Sequence, residues 1–304
     1  MRPSRRAFLT GFSTAADPWT RFCRRLARCI HGRVEPGPPS PDGADRAALY
    51  PAREEDLLHA RALCVETGTL LVLAGCPVPD HIPALIVHPH ALNAVRRLAD
   101  GRIIAQAGAS VRDLRTLLPE LFQAAPDDAL LAQWLAQVSN ADFERVARYL
   151  LAVDVLLAEG AIERFGPFGA DVQREPLSDA ARSLVSQLFI LVNSPGYRAW
   201  RHLPAWPARY RLDALLQPEQ NLAHVWPGSQ GSLGWLLSAH FLPAHAASWP
   251  AAPDAGQGPI PEKPSDSAPL HRPPSPARIF EFEEDVKLIF DPRGLFPRLS
   301  LPVV

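Results

Sequence analysis

The sequence predicts an α+β fold of two subdomains that meet along a groove, and three observations carry that expectation. Residues 51–106 read as a helix followed by short apolar strands bounded by Gly, Pro or Asp. Residues 151–166 read as two strands joined at Glu159–Gly160. Trp235–Leu242 is an apolar strand entered through a compact glycine loop, Gly228-Ser229-Gln230-Gly231-Ser232-Leu233-Gly234. Strands and helices mixed in this way build two layered units, not one doubly wound parallel sheet.

At 304 residues and 47% hydrophobic content the chain has ample material for a core. A formal net charge of -1 leaves no broad cationic field for a nucleic acid backbone. Cys23, Cys29, Cys64 and Cys76 show no CxxC spacing, so no zinc knuckle or disulfide framework is indicated and a reducing cytoplasm is the simpler home. Ser4-Arg5-Arg6-Ala7-Phe8-Leu9-Thr10 resembles a twin-arginine export motif, but Asp17, Pro18 and Arg21 stand where an apolar stretch should follow. No apolar run is long enough to span a bilayer.

Taken in order, the chain opens with an arm over 1–48. It holds an amphipathic helix from Pro18 to Ile30, with Trp19, Phe22, Leu26 and Ile30 on one face and Arg21, Arg24, Arg25 and Arg28 elsewhere. The Pro, Gly and Asp of residues 35–46 predict a flexible connection. The main domain spans 49–243, in subdomains of about 49–126 and 142–242. Its first helix has acidic residues in the first turn and Gly68 as its stop. Leu70–Ala74, Ala84–Val87 and Arg102–Gln106 read as strands, with a helical turn over Ala91–Leu98 between the last two. Ser110 and Asp113 form a capping-box pattern for the next helix. Asp142–Leu150 is helical, and Ser178–Val192 is an amphipathic helix burying Leu184, Val185, Leu188, Phe189, Leu191 and Val192. A Pro/Ala-rich linker over 244–278 leads to a C-terminal helix, Ile279–Phe290, and a tail, within a last segment of 279–304.

Three glycines and two hydroxyl residues in the loop Gly228–Gly234 allow positive φ and close backbone approach, offering N–H and O–H donors to anionic oxygens. On local pattern alone such a cluster more often serves as a plain turn. The block YRLDALLQPEQNLAHVWPGSQGSLGW resembles the helix-GSEGTLG-strand block of flavoproteins with the FAD-binding domain of the vanillyl-alcohol oxidase and glycolate oxidase type, known as PCMH-type. FDPRGLFP resembles that family's C-terminal KxxFDPxGIFNPG, with Lys287, Phe290, Asp291, Pro292 and Gly294 in place. The resemblance covers about Leu49 to Val304 without a cap domain, an arrangement similar to the FAD-binding subunit of glycolate oxidase.

The resemblance implies FAD as cofactor and contacts to it from Gly228, Ser229, Gln230, Gly231, Ser232, Leu233 and Gly234. It also implies contacts from Gly75 and Cys76 after the first strand, from the turn Pro126-Asp127-Asp128 and from Trp134. This chain departs from the family where a glycine-rich pyrophosphate loop belongs, since Gly75-Cys76-Pro77-Val78-Pro79-Asp80 holds one glycine and two prolines. Ala132-Gln133 stands in place of two glycines. No catalytic base is assigned.

Other chemistry is thin. His81, His88 and His90 cluster in sequence without an acidic or cysteine partner at metal-ligand spacing, and read as loop histidines. His240 and His245 read as surface or hydrogen-bonded residues. GxSxG, P-loop and GxGxxG motifs are absent from the sequence. Two functions follow. One is a FAD-dependent oxidoreductase, or its flavin subunit, acting on a small hydroxy acid or alcohol. The other is a degenerate, non-catalytic subunit or structural module of the same fold.

Overall fold

A computed structural model describes residues 17–168, 178–203, 205–216, 220–242 and 273–298. The twin-arginine-like start, the linker over 244–272, His245 and the last six residues lie outside the described residues.

The first helix, α1 (Pro18–Cys29), starts at Asp17, whose carboxylate accepts the Thr20 N–H at 2.8 Å. Its Phe22, Cys23 and Leu26 are buried and its arginines point outward, so the apolar stripe packs on the domain. Strands β1 (Arg33–Pro36) and β2 (Arg46–Tyr50) then pair antiparallel, Arg33 opposite Tyr50 and Pro36 opposite Ala47. The stretch 35–46 is therefore a closed hairpin and not a flexible connection. Pro36 is tolerated because β1 is an edge strand.

Helix α2 (Glu54–Thr67) ends at Gly68, in the left-handed region as its C-cap position requires. Strands β3 (Leu70–Leu73) and β4 (Ala84–Val87) follow, and β2 and β3 flank β4 in parallel to complete a sheet of order β1-β2-β4-β3. Asp56 on α2 is fully buried, and its carboxylate accepts the N–H groups of His31, Gly32 and Ala52 at 2.8, 2.9 and 2.8 Å. That one side chain ties the end of α1 and the exit of β2 to α2.

The second sheet contains β5 (Val95–Arg97), β6 (Ile103–Gln106), β7 (Leu150–Leu156), β8 (Ile162–Phe165) and β11 (Trp235–Phe241). It is wholly antiparallel, of order β5-β6-β11-β7-β8. Every residue of the central strand β11 is buried, which explains its largely apolar run, and its two polar side chains, Ser238 and His240, are bonded to Asp154. Residues 95–97, expected as part of a helical turn, form an edge strand instead. The chain thus crosses from the first sheet to the second near residue 90, well before residue 126.

Between β6 and β7 lie α3 (Val111–Leu117), α4 (Pro119–Phe122), α5 (Leu131–Ala136) and α6 (Phe143–Tyr149). Ser110 occupies the N-cap position of α3, but its side chain makes no capping bond, so the capping box is not formed. A short pair, β9 (Pro167–Phe168) with β10 (Gln220–Asn221), brackets α7 (Asp179–Asn193). Helix α7 buries Leu184, Val185, Leu188 and Val192, whereas Phe189 is 40% exposed, contrary to its expected place in the core. The C-terminal helix α8 (Pro276–Phe290) packs back on the body through Phe282, Val286 and Phe290. Phe282 sits among Tyr197, Trp200 and Trp206, with ring centroids 4.8, 5.1 and 5.6 Å away. Two sheets with helices packed around them make the α+β, two-subdomain architecture.

Candidate functional site

The glycine loop runs from a 3-10 turn, Leu222–Val225, into β11. Gly228 and Gly231 adopt φ of 78° and 68°, and Gln230 adopts 51°, a value that few side chains accept. Four of the loop's N–H donors, those of Gly228, Ser229, Gln230 and Ser232, are committed within the chain. Gly228 N–H and Gln230 N–H donate to the Leu135 and Ala136 carbonyls at the end of α5, both at 2.9 Å. Ser229 N–H and Ser232 N–H close turns onto Trp226 and Ser229 carbonyls, at 3.1 Å each. The Ser232 hydroxyl donates to the Ser229 carbonyl and meets the Tyr210 hydroxyl at 2.7 Å. Burial pushes the Tyr210 phenol up, so it stays neutral as a hydrogen-bond partner.

From the first sheet, the loop after β3 is held from the other direction. Gly75 has φ 87°, and Cys76 N–H turns back onto the Leu73 carbonyl at 3.0 Å. Burial raises the Cys76 thiol to about 11, which keeps it protonated. The loop's carbonyls accept from side chains: Ala74 from Gln133 Nε2 at 2.9 Å, Gly75 from Gln137 Nε2 at 3.2 Å, Pro79 from Arg46 Nη2 at 2.6 Å. Arg46 also reaches the Ile82 carbonyl, and the Ser40 hydroxyl the Asp80 carbonyl.

A cleft of about 430 Å³ brings Gly75, Pro126, Asp128 and Trp134 together, with Gln133 and Arg145 beside them. Asp127 is engaged elsewhere by Arg115, which also donates to the Phe122 carbonyl at 3.0 Å. Trp134 packs on Phe122 with centroids 4.5 Å apart. The glycine loop does not border this cleft. Ser229, Gly231 and Gly234 instead border a void of about 20 Å³ against Leu73, Ala132 and Ala136. Trp226 and Trp235 also line that void, and each has a buried indole Nε1 without a partner among the described residues. Such a space admits about one water molecule.

The residues present therefore do not fit a dinucleotide laid between the two loops. A diphosphate there needs free converging N–H groups and room beside them. Two of the glycine loop's N–H donors, those of Gly228 and Gln230, are bonded to α5 and two more close turns at the loop itself, and a Cβ on Gly231 would already lie 3.6 Å from Leu73 Cβ. Gln133 and Gln137 are the residues whose role sequence reasoning missed. Gln133 was visible as a departure from two glycines, but not that its amide would bridge to Ala74. Among the described residues no three His, Cys, Asp or Glu side chains group as metal ligands would, and His88 stacks on Tyr50 at 4.8 Å and lies 6.2 Å from His90. His240 is buried, with Nε2 2.8 Å from Asp154 Oδ2, and Ser238 donates to the same oxygen at 2.6 Å. Arg211, near the loop in sequence, is paired with Asp213 at 2.7 Å and lies over the Phe143 ring.

No family profile and no curated protein matches the sequence. Among solved structures, the chain is similar to a 4-ethylphenol oxidase from Gulosibacter chungangensis, at 13% identity and TM-score 0.45, covering 75% of this chain and 43% of that one. It is similar to a glucooligosaccharide oxidase of Acremonium strictum with a novel flavinylation, at 11% identity and TM-score 0.39, covering 66% and 35%. It is also similar to an alkyldihydroxyacetonephosphate synthase, at 13% identity and TM-score 0.39, covering 65% and 31%. The chain spans less than half the length of each.

Proposed function

We propose that this chain is a non-catalytic module on the flavoprotein fold it resembles, serving as a partner subunit and not as a FAD-loaded oxidoreductase. The observation that carries this reading is the seam itself. Gly228 and Gln230 N–H groups bond α5, and the Gln133 and Gln137 amides bond Ala74 and Gly75, so α5 and the residue after it tie both expected cofactor loops together within the chain. Opening the seam for a cofactor would break these four bonds, each worth about 0.5 to 1.5 kcal/mol net.

One observation favours the second reading, a flavin enzyme acting on a small hydroxy acid or alcohol. The cleft of about 430 Å³ gathers Gly75, Pro126, Asp128 and Trp134, four residues that the resemblance assigns to FAD. Titrating the purified chain into FAD while following flavin fluorescence separates the two. The non-catalytic reading expects no saturable change up to high micromolar protein. Tight stoichiometric quenching would overturn it in favour of the flavin enzyme.

A further inference from the structure

The glycine loop borders a second, larger concavity. A cleft of about 720 Å³ is lined by Gly228 and Gln230, by Ser139 and Asn140 after α5, and by Ile279 and Phe280 in the first turns of α8. Its volume falls within the range of small-molecule sites, roughly 300–1,000 Å³.

Arg209 also lines this cleft. Its backbone N–H donates to Glu283 Oε1 at 2.8 Å, but its guanidinium Nη1 is buried and has no hydrogen-bond partner among the described residues. The side chain as a whole is only half-buried and has no ion-pair partner among the described residues, so it lends the cleft a cation whose remaining donors an acceptor from outside would meet. The surrounding wall is mainly carbon, from Val138, Pro207, Ala277, Ile279 and Phe280. A single negative headgroup on an apolar body matches both features. The Glu283 carboxylate lines the same cleft, which disfavours dianions such as phosphate monoesters.

We propose that this cleft binds a small amphipathic monocarboxylate, with the carboxylate held by Arg209 and the hydrocarbon against α8. The proposal rests on neither reading of the flavin groove, because the residues it uses lie outside the cofactor seam except for the border at Gly228 and Gln230.

The test uses octanoate as probe and octan-1-ol as its uncharged counterpart, titrated calorimetrically into the full chain. Saturable octanoate binding is expected, with octanol weaker by about tenfold or more, as the loss of one charge-assisted hydrogen bond implies. Arg209→Gln should weaken octanoate by a similar factor and leave octanol unchanged. Should Arg209→Gln fail to fold, Ala277→Trp serves instead: Ala277 is exposed on α8, so the indole can fill the cleft without disturbing the core, and octanoate binding should vanish while circular dichroism stays native. Absence of saturable heat up to about 10 mM octanoate, a range that reaches affinities of only about 3 kcal/mol, would overturn the proposal. So would equal affinity for octanoate and octanol, or octanoate binding undiminished in a folded variant.

Discussion

Lys287 and Asp291 form a buried ion pair at the end of α8, and the same ammonium donates to the Ser232 carbonyl at 2.7 Å and the Phe296 carbonyl at 3.1 Å. All three of its protons are used. Asp291 in turn accepts the N–H groups of Leu295 and Phe296 at 2.9 and 2.8 Å. Burial lowers the Lys287 pKa and the Asp291 charge pulls it back up. One ammonium thus fastens the C-terminal helix, the tail and the glycine loop. Lys287→Met should cost about 3 to 5 kcal/mol, because it strands a buried carboxylate. Adding Asp291→Asn should recover part of that loss. Urea unfolding measures both, and a cost under about 1 kcal/mol for the single variant would contradict the fastening role.

Gly231 has room for a side chain, since a Cβ at that position would lie 3.6 Å from Leu73 Cβ and 3.8 Å from Cys76 Sγ, both ordinary distances. Its φ of 68° is the constraint. Gly231→Val should therefore lose about 1 to 3 kcal/mol through backbone strain, a β-branched residue being among the worst fitted to that region. Unchanged thermal unfolding would show that the loop tolerates another conformation.

Asp154 gives a pH dependence. Burial pushes its carboxyl up, but hydrogen bonds from His240, Arg164 and Ser238 outweigh burial and hold it well below the usual carboxylate range. A depressed folded pKa contributes stability that is present above the unfolded value of about 3.9 and is lost as pH falls toward the folded one. Denaturant midpoints should fall between pH 6 and pH 3, and Asp154→Asn should flatten that fall. Parallel curves for the two proteins would assign the acid sensitivity to other carboxylates.

Gln133 is bonded at both ends of its amide, to the Ala74 carbonyl at 2.9 Å and from the Leu130 N–H at 3.2 Å. Gln133→Ala should cost about 0.5 to 1.5 kcal/mol for the seam bond. Gln137, with a more exposed bond of 3.2 Å, should change stability by no more than about 0.5 kcal/mol as Gln137→Ala. A cost for Gln133→Ala as small as that expected for Gln137→Ala would mean that the Gln133 amide does not hold the seam.

Much of this fold was legible in the sequence where one residue type forces one geometry. Gly68 stops α2, Gly160 turns β7 into β8, and the largely apolar run Trp235–Phe241 marks a strand covered on both faces. The hairpin through Pro36 was hidden, since an edge strand can accept a residue without an N–H and so need not look like a strand. Val95-Arg96-Arg97 was hidden for a related reason, being largely exposed and free of alternation. At the site, the sequence revealed which residues carry donors. It did not reveal which acceptors would take them, because Leu135 and Ala136 bond the loop through carbonyls that every residue possesses.

The loop after β3 accepts at Ala74, Gly75, Pro79, Asp80 and Ile82, each time through a carbonyl oxygen. Its polarity is inverted relative to an anion-binding nest, in which N–H groups converge. Carbonyl oxygens keep a second lone pair after one bond is made. A diphosphate brought to this loop would meet carbonyls already bridged to Gln133, Gln137, Arg46 and Ser40, and two prolines that bring no N–H of their own.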